Sequence, residues 1–426
     1  MTDRSARRSF LPERTDQVTV RRTNVAVTLR SLRDAGPRSR ARLAEDTGLN
    51  KTTISSVIAE LAERGLVATR GVDRAGAAGR PGVVVEVDGR HVYGIGIELN
   101  VDYIAVLALD LRGSVLFERC LPIDVPRLGP GRTLDEITTM VNEAIGVADR
   151  QGGTDPVGIT VAIPGLVETN PGVLIFAPNL GWRDFRLVSE LSRRLGNPSY
   201  RIRMDNDANL SAIGEWAFGV AAGTADLVYL TGEVGVGAGV VVDGQLLRGA
   251  EGFSGEVGHM PLEPGGQVCG CGRRGCWETM VGLGSLLRLA ASPRDDVRDP
   301  SLDLQERLNE IVRRAEANDS RTLSALEQIG AGLGVGASIL INLFNPKVLV
   351  LGGYFARVGP YILEPMVAEL QSRVIAPGMG GCRVELSQLG FTAAVRGGAQ
   401  VALEPVLDDP TTVRPPRRKG ASGGVA

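Results

Sequence analysis

Histidine is almost missing from this chain: there are two in 426 residues, beside five cysteines. Five is odd, and three of them crowd into one short stretch, which argues against the evenly paired framework of a secreted disulfide protein and fits a reducing cytoplasm. No run approaches the roughly 20 uninterrupted apolar residues of a membrane span. The first ten residues, MTDRSARRSF, lack the apolar core of a signal peptide. A cytoplasmic protein with no membrane partner is therefore expected.

What is present is ordinary in bulk and uneven in detail. A composition of 43% hydrophobic and 23% charged residues is that of a globular protein, and 426 residues predict two or three domains. The net charge of −2 conceals an asymmetry: residues 1–90 carry 17 Lys and Arg against 11 Asp and Glu, while the remainder carries 30 against 38. A basic head on an acidic body suits a chain of which only the head meets a polyanion.

The head reads as a winged helix-turn-helix. In RTNVAVTLRSLRDA (22–35), Val25, Val27, Leu29 and Leu32 give a helix an apolar face, ended by Gly36-Pro37. Ser39 is placed to cap a second helix carrying Leu43 and Ala44. Gly48 makes a tight turn, and Asn50 is placed to cap a third helix in which Ile54, Val57, Ile58 and Leu61 recur at helical spacing. Two helices across a short Gly turn, the second opening with small polar side chains, match DNA-reading geometry. Arg40, Lys51, Thr52, Thr53, Ser55 and Ser56 are the expected DNA-binding residues. Leu66–Arg70 and Val83–Val87 read as wing strands around Gly79-Arg80-Pro81, where an extended Arg80 can enter a minor groove. A helical hairpin that binds protein is the alternative for the same pattern. Arginine-rich composition by chance would give the same charge surplus.

From His91 onward, short β-rich runs alternate with helical segments. Residues 94–122 read as a three-strand meander, LDEITTMVNEAIGVADR as an amphipathic helix, and VGITVAIPGLV as a buried strand ending at Pro164-Gly165. A second set follows: RIRMDNDAN, two strands around a Gly-rich turn, helices, the strand VLVLGG and a helix after Tyr361. A duplicated α/β fold with a cleft between its halves is expected. The assigned boundaries are a flexible basic N-terminus (1–20), the DNA-binding domain (21–88), a two-lobed body (89–405) split near 200–206, and a disordered Pro-, Gly- and charge-rich tail (406–426).

Glu256 to Thr279 reads EVGHMPLEPGGQVCGCGRRGCWET. His259, Cys269, Cys271 and Cys276 offer one imidazole and three thiolates without a carboxylate. Such a set favours tetrahedral Zn²⁺ with no position left for a catalytic water, so the metal is expected to be structural. Three free thiols, or one local disulfide, are the alternatives.

In one order the chain carries IPGLV (163–167), APNLGW (177–182), DNDAN (205–209), EVGH (256–259), the His-x9-Cys-x-Cys-x4-Cys loop and VLVLGG (348–353). That order resembles the ROK family, which groups sugar kinases with repressors, over roughly residues 90–400. With the helix-turn-helix in front, the whole chain resembles the family's transcriptional regulators. The resemblance implies an actin-like ATPase fold for the body and zinc in the cysteine loop. It also implies a sugar held by Asn179, Asn206, Asp207, Glu256, His259 and Glu278, with Asp207 in the kinases' base position. Carboxylates, amides and a fixed imidazole are what a polyol needs, since each accepts or donates in a set direction.

The chain departs from the kinase pattern at both phosphate loops. The family's Asp-x-Gly-Gly-Thr is here Glu98-Leu99-Asn100-Val101-Asp102, and Gly-Thr-Gly is Glu233-Val234-Gly235. Side chains fill space that glycine keeps open, and carboxylates stand where phosphate would lie. The expectation is a sugar-responsive regulator, a repressor and not an enzyme. It would bind operator DNA as a homodimer or homotetramer and take a monosaccharide or sugar phosphate as effector. A DNA-binding sugar kinase of glucokinase type is the first rival. A body that senses a protein partner is the second.

Overall fold

The computed structural model describes residues 16–72, 83–299 and 302–415. Arg80 and the rest of the expected wing tip lie outside them. The chain divides into two compact units, residues 1–90 with 404–426, and residues 91–403.

In the first unit, α1 (Gln17–Ala35) begins where Asp16 accepts from the backbone N of Thr19 at 2.7 Å. The start falls inside the stretch expected to be a flexible N-terminus, because this cap fixes the first turn. After β1 (Arg38–Ser39), Ser39 caps α2 (Arg40–Thr47) and Gly48 turns the chain at φ 71°. Asn50 caps α3 (Lys51–Glu63), its Oδ1 accepting from Thr53 N at 2.8 Å. Strands β2 (Val67–Val72) and β3 (Val83–Val87) follow, and the sheet runs β1-β3-β2 with antiparallel pairs. Val25, Leu29, Leu32, Leu43, Ile54, Val57, Ile58 and Leu61 are buried, as their helical spacing requires. Val27 is an exception. It is 41% exposed, because two residues on from Val25 is the opposite side of a helix.

The described part of the tail, residues 406–415, also departs from expectation. The last described α-helix runs to Asp408, and Pro410–Thr412 form a short 3₁₀ turn capped by Asp409. Arg30 pairs with Glu404 (2.9 Å) and Asp408 (2.6 Å), and Arg64 donates to the Val413 carbonyl at 2.8 Å. Ion pairs and a cap hold residues that composition alone marks as disordered.

The second unit opens with β4 (Tyr93–Leu99), β5 (Tyr103–Asp110), β6 (Val115–Pro122), α4 (Val125–Arg150) and β7 (Gly158–Ile163). A small antiparallel sheet of β8 (Leu166–Glu168), β9 (Val173–Ala177) and β10 (Trp182–Phe185) precedes α5 (Leu187–Arg194) and β11 (Arg201–Asn206). These complete a first lobe whose main sheet runs β11-β7-β4-β5-β6. Helix α6 (Asp207–Phe218) leads to the second lobe: β12 (Leu227–Gly232), β13 (Val236–Val242), β14 (Gln245–Leu246), α7 (Trp277–Val281), α8 (Leu283–Ala290), α9 (Leu304–Glu316), α10 (Ser320–Phe344), β15 (Val348–Gly353), α11 (Tyr354–Arg373) and β16 (Arg383–Leu386). Its sheet runs β14-β13-β12-β15-β16. The two sheets share a plan. β4 pairs antiparallel with β5 and parallel with β7, and β12 pairs antiparallel with β13 and parallel with β15.

Helix α11 begins at Tyr354, a full two turns before the expected Tyr361, and tolerates Pro360 and Pro365 inside it. Helix α10 is long and apolar enough to cross a membrane by length and composition, contrary to the reading from uninterrupted runs. Two-thirds of its most apolar window is buried, as in a core helix. Chain-terminal α12 (Ala393–Asp408) lies so close to β4 that a Cβ on Gly96 would sit 1.9 Å from the Val395 carbonyl oxygen, which explains glycine there.

Candidate functional site

Between the lobes lies a cavity of about 510 Å³. Every residue expected to meet a sugar lines it: Asn179, Asn206, Asp207, Glu256, His259 and Glu278. They arrive from separate elements. Asn179 sits in the turn between β9 and β10, Asn206 and Asp207 at the junction of β11 and α6, Glu256 and His259 around a short 3₁₀ turn, and Glu278 in α7.

Asn206 has a local task that the sequence motif conceals. Its Oδ1 caps α6, accepting from Ala208 N (2.9 Å) and Asn209 N (3.3 Å), while its Nδ2 donates to the Gly165 carbonyl (3.2 Å). It therefore anchors the DNDAN turn to the strand end at Pro164-Gly165. Asp207 opens α6, and one oxygen accepts from Ala208 N at 2.9 Å. Burial raises its carboxyl to about 6. Asp205 beside it is buried, accepts from Asn206 N and Asn209 Nδ2, and pairs with Arg248.

The four metal-ligand candidates come together, with all ligand atoms within 4.8 Å of one another. Cys271 Sγ and Cys276 Sγ are 3.7 Å apart, and Cys269 Sγ is 3.6 Å from His259 Nδ1. Thiolates at zinc bond length from one tetrahedral centre stand about 3.8 Å apart, so the donor set fits the ion. Gly272 and Gly275 at φ 86° and 70° supply the turns that fold the loop around it. The other imidazole nitrogen, Nε2, lies 3.8 Å from Glu256 Oε2. The Glu256 side chain is 38% exposed at the cavity mouth, and its carboxyl is raised by partial desolvation there, then by the charges of Asp207 and Glu278.

At the two altered phosphate loops the structure adds what sequence reading missed. Asn100 and Glu233 line the same cavity and are hydrogen-bonded to each other, Asn100 Nδ2 donating to Glu233 Oε2. Behind them Tyr103 donates to Glu98 Oε1 at 2.5 Å. Burial pushes Glu98 up to about 8. It also holds Glu233 well above the usual carboxylate range, with the charges of Glu98 and Asp207 adding to the effect. Phe176, Thr231, Met260 and Arg273 line the cavity too, and none was named from the sequence. Arg273 carried a signal, since it stands between Cys271 and Cys276 in the metal loop.

In the first unit, Lys51, Thr52, Ser55 and Ser56 are exposed on α3, with Thr53 partly so, and Arg40 is exposed at the start of α2. Thr52, Thr53 and Ser56 face a groove shared with Gln17, Arg21 and Asn24 of α1. The α1 residues were not foreseen, because nothing in their spacing differs from an ordinary solvated helix face.

The ROK family model matches residues 94–404, and the chain belongs to that family. Among its relatives, the xylose repressor of Bacillus spizizenii is 33% identical over 394 residues, 92% of this chain and 98% of that one. The glucokinase of Halalkalibacterium halodurans is 31% identical over 272 residues, 62% of this chain and 82% of that one. A crystal structure of a ROK family transcriptional regulator, a homologue of the Escherichia coli MLC protein, superposes with a TM-score of 0.72 at 23% identity. It covers 91% of this chain and 97% of that one, which shows the fold. The body has the two-lobed, actin-like ROK fold.

Proposed function

We propose that this chain is a cytoplasmic, sugar-responsive transcriptional repressor and not a sugar kinase. One observation carries the reading. The six sugar-contact candidates line one cavity, while the loops that cradle phosphates in kinases are occupied by the Asn100–Glu233 hydrogen bond. A triphosphate there would have to break the part-buried Asn100–Glu233 hydrogen bond and displace the side chains of Asn100, Val101 and Glu233 that fill its place, and both costs oppose binding.

The α3 side chains, with Arg40 and Arg80, contact operator DNA. Two copies of the chain read paired half-sites, as a homodimer or a homotetramer. The monosaccharide or sugar phosphate effector is held by Asn179, Asn206, Asp207, Glu256, His259 and Glu278. Zn²⁺ is bound by His259, Cys269, Cys271 and Cys276. Its chemistry there is that of a four-ligand structural ion, which fixes the loop and the imidazole. The match to a xylose repressor over 98% of that relative's length supports this reading.

The kinase reading has one observation in its favour: Asp207 lines the cavity with its carboxyl raised toward the range of a general base. Incubating the zinc-loaded chain with Mg-ATP and a panel of hexoses and pentoses separates the two. The repressor reading expects no sugar-dependent ADP. Turnover that disappears in Asp207→Asn would overturn it.

A further inference from the structure

The two altered loops belong to different lobes. Asn100 lies in the turn between β4 and β5, and Glu233 in the turn between β12 and β13. Asn100 is 4% exposed, and three of the four hydrogen-bonding positions of its side-chain amide are used. Its Oδ1 accepts from Val101 N at 2.6 Å, and its Nδ2 donates both to Tyr103 Oη at 3.2 Å and to Glu233 Oε2. Tyr103 Oη in turn donates a hydrogen bond to Glu98. The chain Glu98–Tyr103–Asn100–Glu233 thus begins on one lobe and ends on the other.

Glu233 is itself fixed. Its N donates to the Gly235 carbonyl (2.9 Å), and its carbonyl accepts from Leu283 N at the start of α8 (3.2 Å). Burial raises the carboxyl of Asp102 in the β4–β5 turn, and the charge of Arg307 on α9 opposes that shift; Arg307 is anchored by donating to the Val297 carbonyl at 2.8 Å. The sugar-contact candidates are likewise divided: Asn179 stands on the first lobe, Glu256, His259 and Glu278 on the second. The cavity has its shape only while the lobes keep this spacing.

We propose that Asn100 and Glu233 are positioning residues, a latch that joins the two lobes where a nucleotide's phosphates would otherwise bridge them, and so holds the effector cavity assembled without ATP. The inference rests on the sugar-binding reading above. It adds to it that the altered loops are not merely lost function. The same substitutions that exclude phosphate supply the donor and the acceptor that replace it.

The test exploits the direction of the bond. Asn100→Asp is nearly isosteric and keeps the acceptor for Val101 N, but it removes the N–H donors to Glu233 and Tyr103 and adds a buried acidic group beside Glu233. Glu233→Gln keeps an acceptor oxygen, and in the double variant its amide can donate to Asp at position 100. The zinc-loaded full-length chain is titrated calorimetrically with D-xylose, D-glucose and D-mannose. For the sugar that the wild type binds, Asn100→Asp is expected to weaken affinity about five- to thirty-fold. Glu233→Gln alone and the double variant are expected to stay within about three-fold of wild type.

Hydrogen exchange on residues 98–103 and 231–236 of the sugar-free protein should show lost protection in Asn100→Asp and its recovery in the double variant. A residue that only supports its own turn would give no such rescue. Unchanged affinity and protection in Asn100→Asp, or a double variant as damaged as the single, would overturn the latch. If the wild type binds none of the sugars, the functional reading fails, and the exchange pattern alone then decides the latch, recovery supporting it and its absence overturning it.

Discussion

Glu278 ties the metal loop to the floor of the cavity: its Oε1 lies 3.0 Å from Cys269 Sγ, and its Oε2 accepts from Val236 N at 3.3 Å. One carboxylate thus lies against a zinc-ligand candidate on one side and is held by a strand of the second lobe on the other. Its aim into the cavity depends on both.

That dependence gives the first prediction. Cys271→Ser is expected to lose the single equivalent of zinc, measured by elemental analysis. Effector affinity should fall with it by about ten-fold or more, since loss of a ligand disturbs the site at least as much as loss of an outer-shell partner. Chelation of the wild type should act in the same direction. A variant that keeps both zinc and sugar affinity would remove Cys271 from the ligand set.

Gly235 tests the other side of Glu278. A Cβ there would stand 2.6 Å from Glu278 Oε2 and 3.5 Å from Asn179 Nδ2. The atom that must move is the tip of a flexible side chain, so Gly235→Ala should fold with little change in thermal midpoint. Its effector affinity, read by calorimetry, should nonetheless drop several-fold as Glu278 is turned away, on the order of 1 kcal/mol for a displaced hydrogen bond. A large loss of stability with sugar affinity intact would contradict the placement.

Much of this was legible in the chain. Helix caps Ser39 and Asn50, the turn at Gly48 and the duplicated lobes follow from local chemistry and pattern, and the convergence of six distant residues on one cavity is what the resemblance to the ROK family implies. Three things were not. Val27 is apolar but stands about 200° around the helix from Val25, and it faces outward. Residues 406–413 look disordered by composition, yet Arg30 and Arg64, distant in sequence, hold this segment. Asn100 and Glu233 were legible only as substitutions that remove a phosphate site. Their pairing joins residues 133 positions apart, and no local pattern announces it.

For the DNA-binding unit, Lys51→Ala is expected to weaken binding to operator fragments and to a scrambled duplex alike. It should lower the slope of log affinity against log salt by about one, as for a residue that meets a phosphate. Thr53→Ala, which keeps the backbone N–H that Asn50 caps, should weaken operator binding without unfolding α3. Both are read by fluorescence anisotropy across a salt series. An unchanged slope in Lys51→Ala would move Lys51 off the DNA.

Glu98 supplies a pH prediction. Burial keeps its proton to about pH 8 in the folded chain, whereas an exposed glutamate releases it near 4.5. Between those values the folded state binds more protons than the unfolded one, so stability falls as pH rises through the window, by at most about 1.4 kcal/mol per pH unit for one proton. Glu98→Gln removes that term. Its thermal midpoint, compared with wild type at pH 6 and pH 8, should gain on the wild type at the higher pH. Parallel curves would show that Glu98 is ionised in the fold.

The most direct measurement of the whole account is operator affinity of the zinc-loaded full-length chain, by anisotropy, with and without a panel of sugars and sugar phosphates and with no nucleotide present. The account predicts that at least one of them changes operator affinity five-fold or more, and that Glu256→Gln or Asp207→Asn abolishes the response while leaving sugar-free DNA binding intact. Operator binding indifferent to every sugar, or a response that appears only when ATP is added, would contradict it.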